Sequence, residues 1–304
     1  MVEKSFTVSG LQLWQWRNKA IEEALAADVS PREVDWLLQE VTNLDRLALR
    51  LQSFQNLPQI PTGFSLADLE QLWQQRLHER LPIQYIAGTT PWRLFKLAVS
   101  NAVLIPRPET ECLIDLALSA VVNSEIREVL EAGLWADLGT GSGAIALGLA
   151  EVLPKATIYA VDVSTEALAI AQKNAQSQEG LSQRLHFYQG SWWKPLVHLK
   201  GKFSGMVSNP PYIPSEMLPS LQPEVFAHEP HLALDGGIDG LDCIRHLIEI
   251  SPQYLHSGGV WLIEMMAGQA EIVRELLDNQ GSYYNISIHA DLAGIERFAV
   301  AYLK

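Results

Sequence analysis

Asn209-Pro210-Pro211-Tyr212 carries the most specific chemistry in this 304-residue chain. It follows a short apolar run, residues 203–208, that reads as a buried strand. Two consecutive prolines have no N–H and a fixed φ, so the strand must end at Asn209. A side-chain amide, two carbonyls with no competing N–H and an aromatic ring then stand at the C-terminal end of a strand. In open α/β sheets that edge is where ligands bind. A planar amide or aromatic amine is a poor nucleophile, because its nitrogen lone pair is delocalised. An enzyme that alkylates one needs acceptors for both N–H bonds and a surface that holds the flat group. The side-chain oxygen of Asn209 and the carbonyl of Pro210 are two such acceptors, and the ring of Tyr212 is such a surface. Positioning, not a strong base, would then supply much of the rate. Taken alone, the tetrad is also an ordinary turn.

A second motif, Asp137-Leu138-Gly139-Thr140-Gly141-Ser142-Gly143, lies between a short strand at 134–136 and a helical run at 144–150. Glycines at alternate positions let the backbone approach a ligand closely. The spacing differs from the dinucleotide fingerprint, in which the third glycine falls three residues after the second. The next strand, 156–161, ends in Asp162, placed to accept both ribose hydroxyls of a nucleoside. Its distance from the loop matches the roughly 20 residues expected in nucleotide-binding βαβ units. Loop, acid and tetrad occur in this order, each at a strand end.

These residues make the chain resemble the class I S-adenosylmethionine-dependent methyltransferases, and the tetrad resembles that of the enzymes methylating adenine N6, cytosine N4 or glutamine N5. Further segments are similar to the bacterial peptide chain release factor glutamine methyltransferases, the HemK/PrmC family. They are residues 105–111 (Ile-Pro-Arg-Pro-Glu-Thr-Glu), 84–88, 229–234, and 291–294 followed by Arg297. The resemblance covers nearly the whole chain from about residue 10. It implies methyl transfer to the glutamine of a Gly-Gly-Gln motif in class 1 release factors, with S-adenosylhomocysteine as product. Gly139, Thr140, Gly141, Ser142, Gly143, Asp162, Trp192 and Asn209 would hold the cofactor. Asn209, Pro210, Pro211, Tyr212 and Arg107 would hold the substrate, with Asn209, Pro210 and Tyr212 at the chemistry. Trp192 would flank the adenine, with Trp193 as the neighbouring alternative. The family often has glycine two residues after Glu264, where this chain has Met266. A ribosomal protein as substrate, or an adenine-N6 nucleic-acid methyltransferase, are the other readings.

Composition bounds these readings. There are 35 acidic against 22 basic residues, a net charge of −13. That counts against DNA or free RNA as substrate, since such enzymes carry a basic face. No apolar run reaches the ~18 residues of a spanning helix, and no basic-then-apolar leader opens the chain. Two cysteines, Cys112 and Cys243, make no disulfide framework. His228 and His231 have no third ligand, so no metal site is expected. A cytoplasmic monomer is the expectation.

The elements that must position the motifs follow from periodicity. Residues 1–82 read as a helical bundle domain, with no strand signal over 9–81. Helices are expected over 11–25 and 44–51, from a Ser30-Pro31 start with Glu33 completing a capping box, and from Ser65 with Asp68 as partner. Residues 57–63 read as a loop. The resemblance makes the bundle a docking domain for the protein substrate. Residues 83–105 read as a hairpin linker with its turn at 88–91. Residues 106–304 alternate strand and helix, which implies a Rossmann-like, mostly parallel sheet with helices on both faces. A helix is expected over 110–122; Glu109 and Glu111 sit in its first turn for dipole reasons, without catalytic roles. Further helices are expected over 165–178 and 269–279, strands over 184–188 and 259–264, and a closing β pair over 283–289 and 296–302.

Overall fold

The computed structural model describes residues 6–304, and its centre is a seven-stranded sheet. In chain order the structure has β1 (Phe6–Val8), β2 (Ile60–Thr62), β3 (Thr89–Trp92) and β4 (Phe95–Ala98), then the sheet strands. These are β5 (Leu134–Leu138), β6 (Thr157–Asp162), β7 (Leu185–Gln189), β8 (Phe203–Ser208), β9 (Leu255–Glu264), β10 (Tyr283–Ala290) and β11 (Glu296–Leu303). The spatial order is β10-β11-β9-β8-β5-β6-β7. Strands β5 to β9 run parallel, and β11 is antiparallel to both β9 and β10. Going outward from β5, the chain fills β6 and β7 on one side and then turns back to β8 on the other. The order therefore reverses between β5 and β8, and a crevice opens there at the C-terminal strand ends.

Burial explains why these segments are parallel strands. Every residue of β8 is buried, the continuous pattern of a strand covered on both faces. Trp135 and Ala136 go to opposite faces, as the period of two requires. On the Trp135 face lie α6 (Cys112–Val122) and α8 (Ala144–Val152), with Leu113, Ile114, Leu147 and Leu149. On the Ala136 face lie α11 (Asp242–Ile250) and α12 (Ala270–Gln280), with Ile244, Leu247, Val273 and Leu277. A side chain at Gly205 of β8 would lie 2.4 Å from the Trp135 ring, so the tryptophan needs a glycine on its neighbour strand.

The chain divides into two compact units. One contains this sheet; the other runs to Thr90 and takes in Val99–Asn101 and Gln222–His228. The second is helical: α1 (Gly10–Ala26), α2 (Arg32–Val41), α3 (Arg46–Leu51), α4 (Leu66–His78), α5 (Ile83–Ala87) and α10 (Pro223–His228). Its core holds Leu37, Leu38, Leu69 and Val34, with Trp16 edge-on to Trp73 at 6.2 Å. Ser9 opens α1 with a full capping box, and the Ser65 hydroxyl accepts the Asp68 N–H at the start of α4. The sheet unit also carries α7 (Arg127–Ala132), just before β5, and α9 (Thr165–Gln176), between β6 and β7.

Four local expectations are corrected. Ser30 does not cap α2: Pro31 is itself the cap residue at φ −63°, ψ −16°, and the Glu33 N–H bonds the Ser30 carbonyl instead. Residues 60–62 are not loop but pair with Phe6–Val8, and Pro61 is tolerated because a two-stranded ribbon is all edge. Residues 83–87 are a short helix, ended by Gly88 at φ +67°. The hairpin that follows turns at Arg93 and Leu94, not at 88–91, since Glu111 accepts the Arg93 N–H and holds that residue at φ +49°.

Candidate active site

The crevice is lined first by the turn from β5 into α8. Gly139, Gly141 and Gly143 have φ of +81°, +52° and +82°, which residues with a Cβ rarely adopt. A Cβ on Gly143 would also press on Ala171 at 3.1 Å, whereas one on Gly141 would meet nothing within 4 Å. The first glycines are therefore open to a ligand, and the third packs against the protein. The N–H groups of Gly139 and Thr140 both bond the Val161 carbonyl at 2.9 and 3.0 Å. Asn174 Nδ2 bonds the Ser142 carbonyl at 2.8 Å from the other side.

Two carboxylates serve this turn. Asp162, at the end of β6, accepts the Gly141 N–H at 2.8 Å and the Ser164 N–H at 3.0 Å. Asp137 is fully buried. Its Oδ2 accepts from the Thr140 hydroxyl at 2.6 Å and the Ala146 N–H at 2.9 Å. Its Oδ1 has no hydrogen-bond partner. Burial pushes the Asp137 carboxyl up to about 7, against the pull of those two donors, and the charge of Asp162 adds to the rise. A buried oxygen left without a donor beside an open glycine turn fits a ligand that brings a cationic or N–H group. S-adenosylmethionine, with an ammonium and a sulfonium, has that character. The sequence places Asp137 at the head of the glycine motif but gives it no role of its own, because its burial and its unpaired oxygen show only in the folded chain.

Burial separates the two neighbouring tryptophans. Trp193 is 1% exposed, stacks on Tyr254 at 4.6 Å and donates Nε1–H to Ser251. It belongs to the core. Trp192, at φ +53°, has its ring 3.6 Å from where a Cβ on Gly139 would stand.

The tetrad leaves β8 on the other side of the crevice. The Ser208 hydroxyl donates to the Leu138 carbonyl at 2.5 Å, which ties the end of β8 to the end of β5. Asn209 Nδ2 donates to Thr110 Oγ1 at 3.3 Å, and the Thr110 hydroxyl donates to Glu264 Oε2 at 2.7 Å. The Tyr212 hydroxyl donates to the other oxygen, Glu264 Oε1, at 3.1 Å. Neither the Asn209 side-chain oxygen nor the Pro210 carbonyl has a partner among the described residues. Burial raises the Glu264 carboxyl above its ordinary range; the hydroxyls of Thr110 and Tyr212 and the charge of Arg297 oppose this, and Glu109 adds to it. The Tyr212 hydroxyl is raised by burial and then by Glu264, with Arg297 and Arg107 opposing. After Tyr212, the chain is pinned by Gln269, whose Nε2 donates to the Tyr212 carbonyl at 3.1 Å.

Arg107 comes near this cluster, and its Nη2 bonds Glu229 Oε2 at 2.7 Å. Glu229 is 4% exposed, and burial raises its carboxyl despite the arginine. The arginine's own carbonyl accepts from Trp92 Nε1 at 3.0 Å. Residue 266 leaves the local loop intact: the Met266 N–H is closed by Gln269 Oε1 at 2.9 Å, and Gly268 takes the positive φ at +91°. Glu264 and Thr110 were missed as site residues, because the bond between them joins positions 154 apart.

Strand order, an antiparallel seventh strand and a glycine turn beside the order reversal define a class I methyltransferase. Residues 114–238 match the family described as methyltransferase small domain. A release factor glutamine methyltransferase of Synechocystis sp. is 51% identical over 294 residues, 97% of each chain. One from Thermosynechococcus vestitus is 44% identical over 288 residues, 95% of this chain and 96% of the relative. The hMettl16 catalytic domain, solved with MAT2A 3′UTR hairpin 6, shares the fold with a TM-score of 0.54 at 13% identity, over 88% of each chain. The chain belongs to the release factor glutamine methyltransferase family.

Proposed function

We infer that this chain methylates the side-chain amide nitrogen of a glutamine, that of the Gly-Gly-Gln motif in class 1 release factors, in the cytoplasm and as a monomer. The observation that carries the reading is the pair of free acceptors, the Asn209 oxygen and the Pro210 carbonyl, on rigid backbone across the crevice from the glycine turn. Asn209 Oδ1 and the Pro210 carbonyl take the two N–H bonds of the substrate carboxamide, which fixes the nitrogen in place. Pro210 has no N–H to compete for them. The Tyr212 ring packs on the flat carboxamide, with its hydroxyl held away by Glu264. Pro211 keeps the backbone extended between the two, and Arg107 borders the entry.

Gly139, Thr140, Gly141, Ser142 and Gly143 form the backbone cradle for S-adenosylmethionine, with Asp162 for its ribose, Trp192 for its adenine and Asp137 for its charged end. When bound, S-adenosylmethionine supplies the methyl group as a good electrophile, and S-adenosylhomocysteine is what remains. The chain's own residues provide positioning, which is where most of the barrier reduction must come from in a site without a strong base. The amide nitrogen becomes strongly acidic as it is alkylated, so one of its protons, already hydrogen-bonded to these acceptors, is lost to water without a strong base.

The helical unit supports the protein-substrate reading. It carries a hollow of about 710 Å³ whose lining includes Trp36, Arg32, Arg46 and Arg50, with Arg17 paired to Asp35, a net basic surface on an acidic chain. Arginine and tryptophan are the residues that anchor protein interfaces. Methyl transfer to an intact release factor, compared with the factor whose Gly-Gly-Gln glutamine is alanine, tests the reading. Label in both would overturn the site assignment.

A further inference from the structure

We propose that Glu264 and Thr110 are positioning residues that set which way round the Asn209 amide stands. The inference rests on the reading of Asn209 as the substrate's amide acceptor and goes beyond it. The two ends of an asparagine amide have nearly the same shape, and only its hydrogen bonds decide which end faces where. An acceptor must present oxygen to the substrate; the flipped amide would present NH₂ to the substrate's own NH₂, donor against donor.

The network fixes the choice by counting hydrogens. Glu264 ends β9 with 2% of its surface exposed, and as a carboxylate it can only accept. Its Oε1 takes the Tyr212 hydroxyl hydrogen, and its Oε2 takes that of Thr110. Thr110 has one hydrogen, and that hydrogen is now committed. Its oxygen can only accept from the next group, at 3.3 Å from the Asn209 amide. The end of the amide that faces Thr110 must therefore be Nδ2, and Oδ1 is turned to the crevice. Polarity passes from a buried carboxylate through one hydroxyl to the reacting amide. The same carboxylate orients the Tyr212 hydroxyl, so one group on β9 sets two members of the tetrad.

Chain placement makes the device rigid. Thr110 is 3% exposed and sits in the turn that leads into α6. Asn209 leaves β8, the direct neighbour of β9 in the sheet. Glu264 and Thr110 are both buried, 2% and 3% exposed, which separates their role from that of a catalytic residue touching the substrate.

Thr110→Val keeps the shape and removes the hydroxyl. Glu264→Gln keeps the shape and introduces a donor that can reverse the chain. Thr110→Ser keeps the hydroxyl. Each is compared with the parent and with Asn209→Ala for kcat and KM on a purified class 1 release factor, and for S-adenosylmethionine Kd and stoichiometry by calorimetry. Rates are referred to the cofactor-binding fraction, so that a partly unfolded variant is not misread. The expected result is a fall in kcat of about 10- to 100-fold for Thr110→Val and Glu264→Gln, with Kd within about threefold, and recovery to within about threefold of the parent in Thr110→Ser. If Thr110→Val keeps the parent kcat while Asn209→Ala is inactive, the relay is wrong and the acceptor reading stands. If Asn209→Ala is itself active, the underlying reading fails. If Thr110→Ser falls as far as Thr110→Val, the hydroxyl is not what matters and the inference is overturned.

Discussion

Replacing Arg107 by methionine should expose a pH-dependent cost whose source is Glu229, not the site. The pair is unequal: the Glu229 side chain is 1% exposed, while that of Arg107 is 34% exposed. Removing the arginine leaves a buried carboxylate without its counter-ion, the costly way to break such a pair. The penalty has a ceiling, because a lone buried carboxyl escapes by taking a proton. From its ordinary value of 4.5 that ceiling is about 3 kcal/mol at pH 7 and about 1 kcal/mol at pH 5.5, at ~1.4 kcal/mol per unit. The sign follows from the raised carboxyl: the folded state binds the proton more tightly than the unfolded chain. The penalty is absent below the ordinary value and grows as pH rises toward the folded one. Methionine keeps most of the apolar stem, so lost packing adds little. Urea unfolding at pH 5.5 and pH 7.0 is the assay. Arg107→Met should lose up to about 3 kcal/mol at pH 7 and about 1 kcal/mol at pH 5.5, and adding Glu229→Gln should remove the pH dependence. If the substrate also touches Arg107, KM for the release factor stays raised in the double variant after stability has returned. An Arg107→Met penalty equal at both pH values would refute the reasoning, since it would place the cost in packing and not in the carboxylate.

Three further outcomes are expected. Asp162→Ala should weaken S-adenosylmethionine binding at least tenfold by calorimetry, because it removes the proposed ribose acceptor and the partner of the Gly141 N–H; an unchanged Kd would sink the ribose role. Asn209→Ala should abolish transfer while cofactor Kd stays within a few-fold, and loss of both together would make the residue structural. Arg46→Glu with Arg50→Glu, in the hollow of the helical unit, should raise KM for the intact factor about tenfold, as loss of interface anchors does. The rate on a short Gly-Gly-Gln peptide should not change, and equal losses on both substrates would exclude a docking role.

Much of the site was legible because its signals are local. Two prolines end β8 at Asn209 whatever the rest of the chain does, and alternate glycines between a strand and a helix specify an open turn. The sheet was legible because buried parallel strands read as short apolar runs separated by helices. What escaped depends on distant partners. The bond between Thr110 and Glu264 spans 154 positions, and Arg76, which bonds Glu33, reaches Glu224 across 148. No periodicity announces such pairs, so the place of α10 in the helical unit was not foreseen either. Trp192 and Trp193 differ by one residue of register, and burial, not identity, is what tells them apart. Short elements failed for another reason: α5 has five residues between Pro82 and Gly88, too few to show a helical period, and β2 hides behind a proline that only an edge strand accepts.

The central claim is that this site methylates a glutamine amide in a release factor. The direct measurement is transfer of radiolabelled methyl from S-adenosylmethionine to three substrates in parallel: a purified class 1 release factor, the same factor with its Gly-Gly-Gln glutamine changed to alanine, and DNA in duplex and single-stranded form. The account predicts label in the intact factor alone. Label in the alanine variant or in DNA, or none in the intact factor while the cofactor still binds, would contradict it.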